Sequence, residues 1–172
     1  WDMTAELAWK FIWADRRSEY QSGLDDDGVA ETLFTYPETG WADQESAELQ
    51  FLGDFGSWDF VTGLYWFKEE GANVQDPNFF AGGQGAFELG QTAKSKAAYA
   101  NVGFQVAETL RLSGGLRYTK DDKDAYVNIN SGLIEESNSR DWSETSWELA
   151  AVWDMNERMN LYGTIQNGYQ SG

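Results

Sequence analysis

The chain has 172 residues, 41% of them hydrophobic, with 29 acidic and 12 basic side chains and a net charge of −17. The length suits one domain of about 100–200 residues, and the charge excludes nucleic acid as a main partner, because a phosphate backbone calls for a basic surface. Cysteine and histidine are both absent, which removes disulfide frameworks, Cys/His zinc sites and Ser-His or Cys-His nucleophile pairs. Nine tryptophans beside two prolines point instead to an amphipathic β surface. There is no run of about 18 apolar residues that would make a membrane helix, but a spanning strand needs only about 9–11 residues, with every second one apolar.

Period-2 alternation predicts seven strands. In the first, residues 5–16, Leu7, Trp9, Phe11 and Trp13 oppose Ala8, Lys10, Ala14 and Arg16, with Ile12 out of pattern. Residues 46–53 set Ala47, Leu49 and Phe51 against Glu48 and Gln50. Residues 58–68 are apolar on both faces, so alternation assigns them no inward side. Residues 97–106 set Ala98, Ala100, Val102, Phe104 and Val106 against Tyr99, Asn101, Gly103 and Gln105. The cleanest strand is 109–119, with Leu110, Leu112, Gly114, Leu116 and Tyr118 on one face and Arg111 and Arg117 on the other. Residues 146–153 (Trp147, Leu149, Ala151, Trp153) and 159–169 (Met159, Leu161, Gly163, Ile165) complete the set.

The predicted connections alternate. Short turns fall at 53–57, 107–108 and 154–158, and long ones at 23–45, 69–93 and 120–145. Such alternation implies antiparallel neighbours with all short turns at one end. The three long segments carry 18 acids and 3 bases, so the acidity is expected on one rim of loops above near-neutral strands. Trp58 and Trp153 sit beside the short turns, whereas Trp13, Tyr118 and Trp147 lie toward the long connections. These five are the expected interfacial aromatics, since Trp and Tyr collect where one edge is apolar and the other wet. Trp1-Asp2-Met3 echoes Trp153-Asp154-Met155. Both read as a short turn entering a strand, with Trp1 the tail of a preceding strand and the chain a sector of something larger.

Three stretches carry a family resemblance. Gln44-Glu45-Ser46-Ala47-Glu48-Leu49-Gln50-Phe51 followed by Trp58-Asp59-Phe60-Val61-Thr62-Gly63-Leu64-Tyr65-Trp66-Phe67 is the first. Ala98-Tyr99-Ala100 through Leu110-Arg111-Leu112-Ser113-Gly114-Gly115-Leu116-Arg117-Tyr118-Thr119 is the second, and Asn160-Leu161-Tyr162 through Gly168-Tyr169-Gln170-Ser171-Gly172 the third. In this order they resemble the barrel wall of TonB-dependent outer-membrane receptors. Gln50 stands where that family often has Arg, without disturbing the alternation. The resemblance implies an all-β antiparallel transmembrane barrel segment, about seven strands of a 22-stranded barrel, with residues 1–172 as a partial barrel domain and the plug domain and TonB box outside the chain. It implies a bacterial outer-membrane transporter, not an enzyme, that imports a scarce ligand such as a ferric siderophore. The implied partners are outer-membrane lipid, the small-molecule ligand and, through a missing N-terminal region, the TonB complex. No cofactor is expected.

Candidate residues follow. Phe34, Tyr36, Trp41, Phe79, Phe80 and Phe87, read as loop aromatics, are candidates either for contacting a flat or apolar ligand or for packing loop on loop. Arg111, Arg117, Glu48 and Glu148 are candidate lumen-facing residues, with the two arginines expected to pair with strand acids such as Glu48 or Glu148 rather than with a plug. Asp25, Asp26 and Asp27 form a weak calcium candidate that lacks the alternating spacing and closing Glu of an EF-hand; no metal site is expected. Two other readings stand beside the transporter. One is a small outer-membrane barrel with an adhesion or structural role, drawing an eighth strand from 123–135. The other is a soluble β-sandwich glycoside hydrolase using Glu48 and Glu148.

Overall fold

The computed structural model describes residues 1–25, 28, 30, 34–79, 82–83, 85–129 and 132–170, with the backbone alone at 78, 79, 82 and 83. Seven long strands form, β1 (Leu7–Asp25), β2 (Phe34–Asp54), β3 (Trp58–Gln75), β6 (Phe87–Ala107), β7 (Leu110–Ile129), β8 (Ile134–Asn156) and β9 (Met159–Gln166). Two short ones, β4 (Asn78–Phe79) and β5 (Gly82–Gly83), lie between β3 and β6. All belong to one antiparallel sheet, in which β1 pairs β2 and the order then runs β2-β3-β6-β7-β8-β9. Among the described residues β1 and β9 are each paired on one side only.

The register aligns the six predicted apolar sets onto one face. Directly opposed residues of an antiparallel pair share a face. Phe11 faces Leu49, which faces Leu64, which faces Ala98, which faces Tyr118. Trp58 faces Phe104, Phe104 faces Leu112, Leu112 faces Ala151 and Ala151 faces Gly163. The ambiguous strand is thereby settled: Trp58, Phe60, Thr62, Leu64 and Trp66 join the apolar face, and Asp59, Val61, Gly63, Tyr65 and Phe67 the polar one. The band from Leu110 to Tyr118 climbs about 27 Å along the strand.

The sheet is a single layer without a core. Among the described residues only Ala72 and Ala97 are buried hydrophobics, while Leu64, Leu116, Leu149 and Ile165 are each more than half exposed. The accessible surface is 12223 Å², against about 8,500 Å² for a folded globular chain of this mass. A hydrophobic face of this extent has to be covered by something outside the chain. Among the described residues there is no second sheet, so the β-sandwich that the glycoside-hydrolase reading calls for is not formed. Nor is there a separate strand at 123–135: β7 runs to Ile129 and β8 starts at Ile134, and Ile129 faces Ile134 directly.

The short turns fall where the alternation puts them and are laced together along one end. Asp54 N donates to Glu6 O (2.8 Å), Gln105 N to Ser57 O (2.7 Å) and Asp154 N to Thr109 O (2.8 Å). Gly56 takes φ +78° in the β2–β3 turn, where its N–H donates to Asp54 Oδ1 at 2.9 Å. The echoed segments also share geometry. Trp1 and Trp9 exchange backbone hydrogen bonds and stack at 6.1 Å, and Trp153 faces Leu161 with the same eight-residue separation.

The long connections are a correction. Strand pairing continues through most of 23–45, 69–93 and 120–145, so Glu38, Asp43, Glu45, Glu69, Glu70, Asp121, Asp122 and Asp124 are strand residues. Most of the acidity belongs to strand extensions beyond the apolar band rather than to a fringe of loops. Backbone ladder bonds are indifferent to side-chain polarity, so β pairing continues after the apolar alternation has faded.

Candidate functional site on the polar face

Behind the apolar band the opposite face carries a polar cluster. Arg111 on β7 pairs with Asp59 on β3, reaching across β6 at Gly103, where a side chain would block the guanidinium. Tyr99 Oη donates to Glu48 Oε1 at 2.5 Å and Gln50 Nε2 donates to the same oxygen at 3.1 Å. Arg117 lies 5.5 Å from the Tyr65 ring centroid and 5.9 Å from that of Tyr99, and its Nε donates to Thr119 Oγ1 at 3.1 Å. A hollow of about 390 Å³ opens among Glu48, Tyr99, Asn101, Arg117, Glu148 and Gln166.

The four polar candidates thus project from one face. The arginines' partners differ from those expected. Arg111 takes Asp59, two strands away, and Arg117 lies over two tyrosine rings, with no carboxylate within 4.0 Å among the described residues. Asp59 was missed because residues 58–68 had no assignable face.

Farther from the short turns, Tyr20, Glu38 and Asn73 form a second polar group. Tyr20 Oη donates to Glu38 Oε1 at 2.5 Å, and Asn73 Nδ2 donates to both Tyr20 Oη and Glu38 Oε1. The hydrogen bond to Glu38, then partial burial, raises the Tyr20 phenol above its ordinary range. A hollow of about 600 Å³ lies beside it, lined by Tyr20, Asn73, Leu89, Gln91, Glu136 and Asn138. It mixes hydrogen-bonding groups with apolar surface, as small-molecule sites do.

The aromatic candidates among the described residues lie in strands rather than in loops. Phe34 and Tyr36 meet edge to face at 5.0 Å on β2, and Phe87 opens β6 beside Gln75 and Ile129. Trp41 lies on the opposite face of β2, in register with Glu19 and Ala72. Phe79 is placed by its backbone in β4, opposite Phe34, and Phe80 lies outside the described residues. Asp25 ends β1; Asp26 and Asp27 lie outside the described residues, and among those described no acidic group is arranged to hold a metal. The five interfacial candidates lie on the apolar face: Trp58 and Trp153 at the short-turn border, Trp13, Tyr118 and Trp147 toward the other, each 39–62% exposed.

No curated protein sequence matches the chain significantly. Among solved structures it is similar to the ferric yersiniabactin uptake receptor FyuA from Yersinia pestis, at 16% identity and a TM-score of 0.82. That match covers 94% of this chain and 26% of FyuA, so the chain spans about a quarter of that receptor's length. At this identity the likeness speaks to fold alone. The model of the TonB dependent receptor-like beta-barrel family matches residues 1–172, and with the one-layered amphipathic sheet already described, the chain belongs to that family.

Proposed function

We propose that this chain is a sector of the wall of a closed, 22-stranded barrel in the bacterial outer membrane, and that the receptor it serves imports a scarce, bulky ligand such as a ferric siderophore by TonB-dependent transport.

 The observation that carries this reading is the unbroken apolar face across seven strands, backed by a polar face with no second layer. Lipid covers such a face in a barrel, and the polar side lines the interior. The paired-on-one-side strands β1 and β9 are where further wall strands would attach.

In this reading Arg111, Arg117, Glu48 and Glu148 face the lumen, and Trp13, Trp58, Tyr118, Trp147 and Trp153 mark the two membrane borders. Phe34, Tyr36 and Phe87 belong to the outer vestibule, where ligand is first captured, whereas Trp41, on the other face of β2, faces outward. A plug and TonB box elsewhere in the receptor couple capture to inner-membrane energy. The test is uptake of radiolabelled ferric siderophores by cells that do or do not express the receptor, with and without functional TonB. Uptake that needs both is the expected result; a receptor recovered in the soluble fraction, or uptake indifferent to TonB, overturns the reading.

A further inference from the structure

The apolar face ends, on the side away from the short turns, in a concentration of lysines. Four of them share that face on three adjacent strands: Lys68 on β3, Lys94 and Lys96 on β6, and Lys120 on β7. The row beside the apolar band reads Trp13, Ala47, Trp66, Lys96, Lys120 and Ser143 across six strands, two cations and no acid. The next row is mixed, with Lys68 and Lys94 among Asp15, Glu45, Asp122 and Asp141. Lys68 is held by Glu70 at 2.7 Å, and Lys120 lies 3.9 Å from Asp122. Lys94 and Lys96 have no carboxylate within 4.0 Å among the described residues, and both are exposed.

Lys96 stands directly opposite Lys120. Like charges so placed destabilise a strand pair, and this chain, at −17, has acids in plenty with which to avoid the arrangement. An anion seated between the two ammonium groups turns that repulsion into attraction. Directly below, an apolar groove of about 580 Å³ runs between Leu49, Leu64, Ala98 and Tyr118, and the same two lysines close its polar end. Cation at the border and groove within the band match the two halves of an anionic lipid: phosphate on the ammonium groups, acyl chain along the strands.

We propose that this groove and lysine row form a specific site for a phosphate-bearing lipid of the leaflet on the side away from the short turns. The site rests on the reading above that the apolar face meets lipid. Phosphate is the fitting headgroup because it carries enough charge and acceptor oxygens to bridge Lys96 and Lys120 together, with Lys94 within the same patch.

The experiment uses the full receptor, purified in detergent and reconstituted into nanodiscs. Diphosphoryl lipid A is the probe, and its dephosphorylated form the comparison. Native mass spectrometry reads the bound lipid for wild type, for the triple variant K94Q/K96Q/K120Q, and for K123Q, whose lysine lies on the polar face over the Trp142 ring at 5.6 Å. Wild type and K123Q are expected to retain the phosphorylated form at least tenfold better than the dephosphorylated one, and the triple variant to lose that preference. Equal retention of the two lipids by wild type, or an unchanged preference in the triple variant, overturns the site while leaving the wall reading intact. Failure of wild type to enter nanodiscs at all overturns both. Heat-modifiable migration on gels confirms that each variant is folded before its lipid is counted.

Discussion

Tyr20 shows how a single side chain responds to its partners. Glu38 accepts its proton-bearing hydroxyl and raises the phenol's pKa. A folded-state value above the unfolded one of about 10 contributes stability that is complete below that pH and is lost as pH climbs through the raised value. In the tyrosinate absorbance titration, the difference between wild type and Tyr20→Phe is therefore expected to fall above pH 10. Glu38→Gln is expected to move it back down, and an unmoved transition would show that Glu38 is not the cause. Arg111 and Asp59 offer a second residue-scale measurement. Both side chains are about 40% exposed, so solvent screens the pair. A double-mutant cycle of Arg111→Ala and Asp59→Ala, read by urea unfolding in detergent, is expected to give a coupling of about 0.2–1 kcal/mol.

At the scale of the strand, glycine and aromatic side chains are matched across the ladder. Tyr20 covers Gly40, Phe60 covers Gly53, Tyr99 covers Gly63 and Tyr126 covers Gly90, each ring lying over its direct cross-strand partner. The missing Cβ gives the ring a place against the backbone, and the ring shields what the glycine leaves bare. A Cβ at Gly63 would meet the Tyr99 ring at 2.7 Å and Leu49 O at 2.9 Å, whereas one at Gly163 meets nothing within 4 Å. Gly63→Ala is expected to cost about 1–3 kcal/mol and Gly163→Ala almost nothing, as measured by their urea midpoints. Equal midpoints would remove the steric argument. The two faces of a strand differ just as sharply. Leu116→Arg on the apolar face is expected to cost about 2–4 kcal/mol in a bilayer, while Ser113→Arg on the polar face of the same strand stays within about 0.5 kcal/mol. Unfolding from lipid vesicles distinguishes the two.

The whole molecule is a surface rather than a packed body. Its strands are stabilised by ladder bonds and cross-strand pairs, and its apolar side chains gain little from one another because most remain exposed within the chain. The hydrophobic term is completed only by whatever covers that face. Without detergent or lipid the chain is expected to aggregate through its apolar face and its open edges. Light scattering on dilution out of detergent checks this; a clear, monodisperse solution would contradict a lipid-covered wall.

Alternation from Leu110 to Tyr118 and from Ala98 to Val106 was enough to place those strands and their two faces, because each side faces a different medium and every second residue has to suit it. The short turns were equally legible, as the apolar pattern stops on either side of them. Residues 58–68 were not legible, since aromatics stand on both faces: Trp58 and Trp66 on the apolar one, Tyr65 beneath the Arg117 guanidinium on the polar one. Only the register could assign them, and with them Asp59 as the partner of Arg111. The same holds for strand length. Beyond the apolar band charged, small and aromatic residues follow no strict alternation, so the sequence has no periodic signal there, while the backbone ladder continues through Asp121, Asp122 and Asp124 opposite Trp142, Asp141 and Ser139. The sequence by itself determined the alternation and the apolar face of six strands, because these follow from residue order along one strand, and the order of its motifs pointed to the family. The tertiary structure decided which residues meet across strands, including Lys96 against Lys120, because pairing depends on a register that no single strand contains.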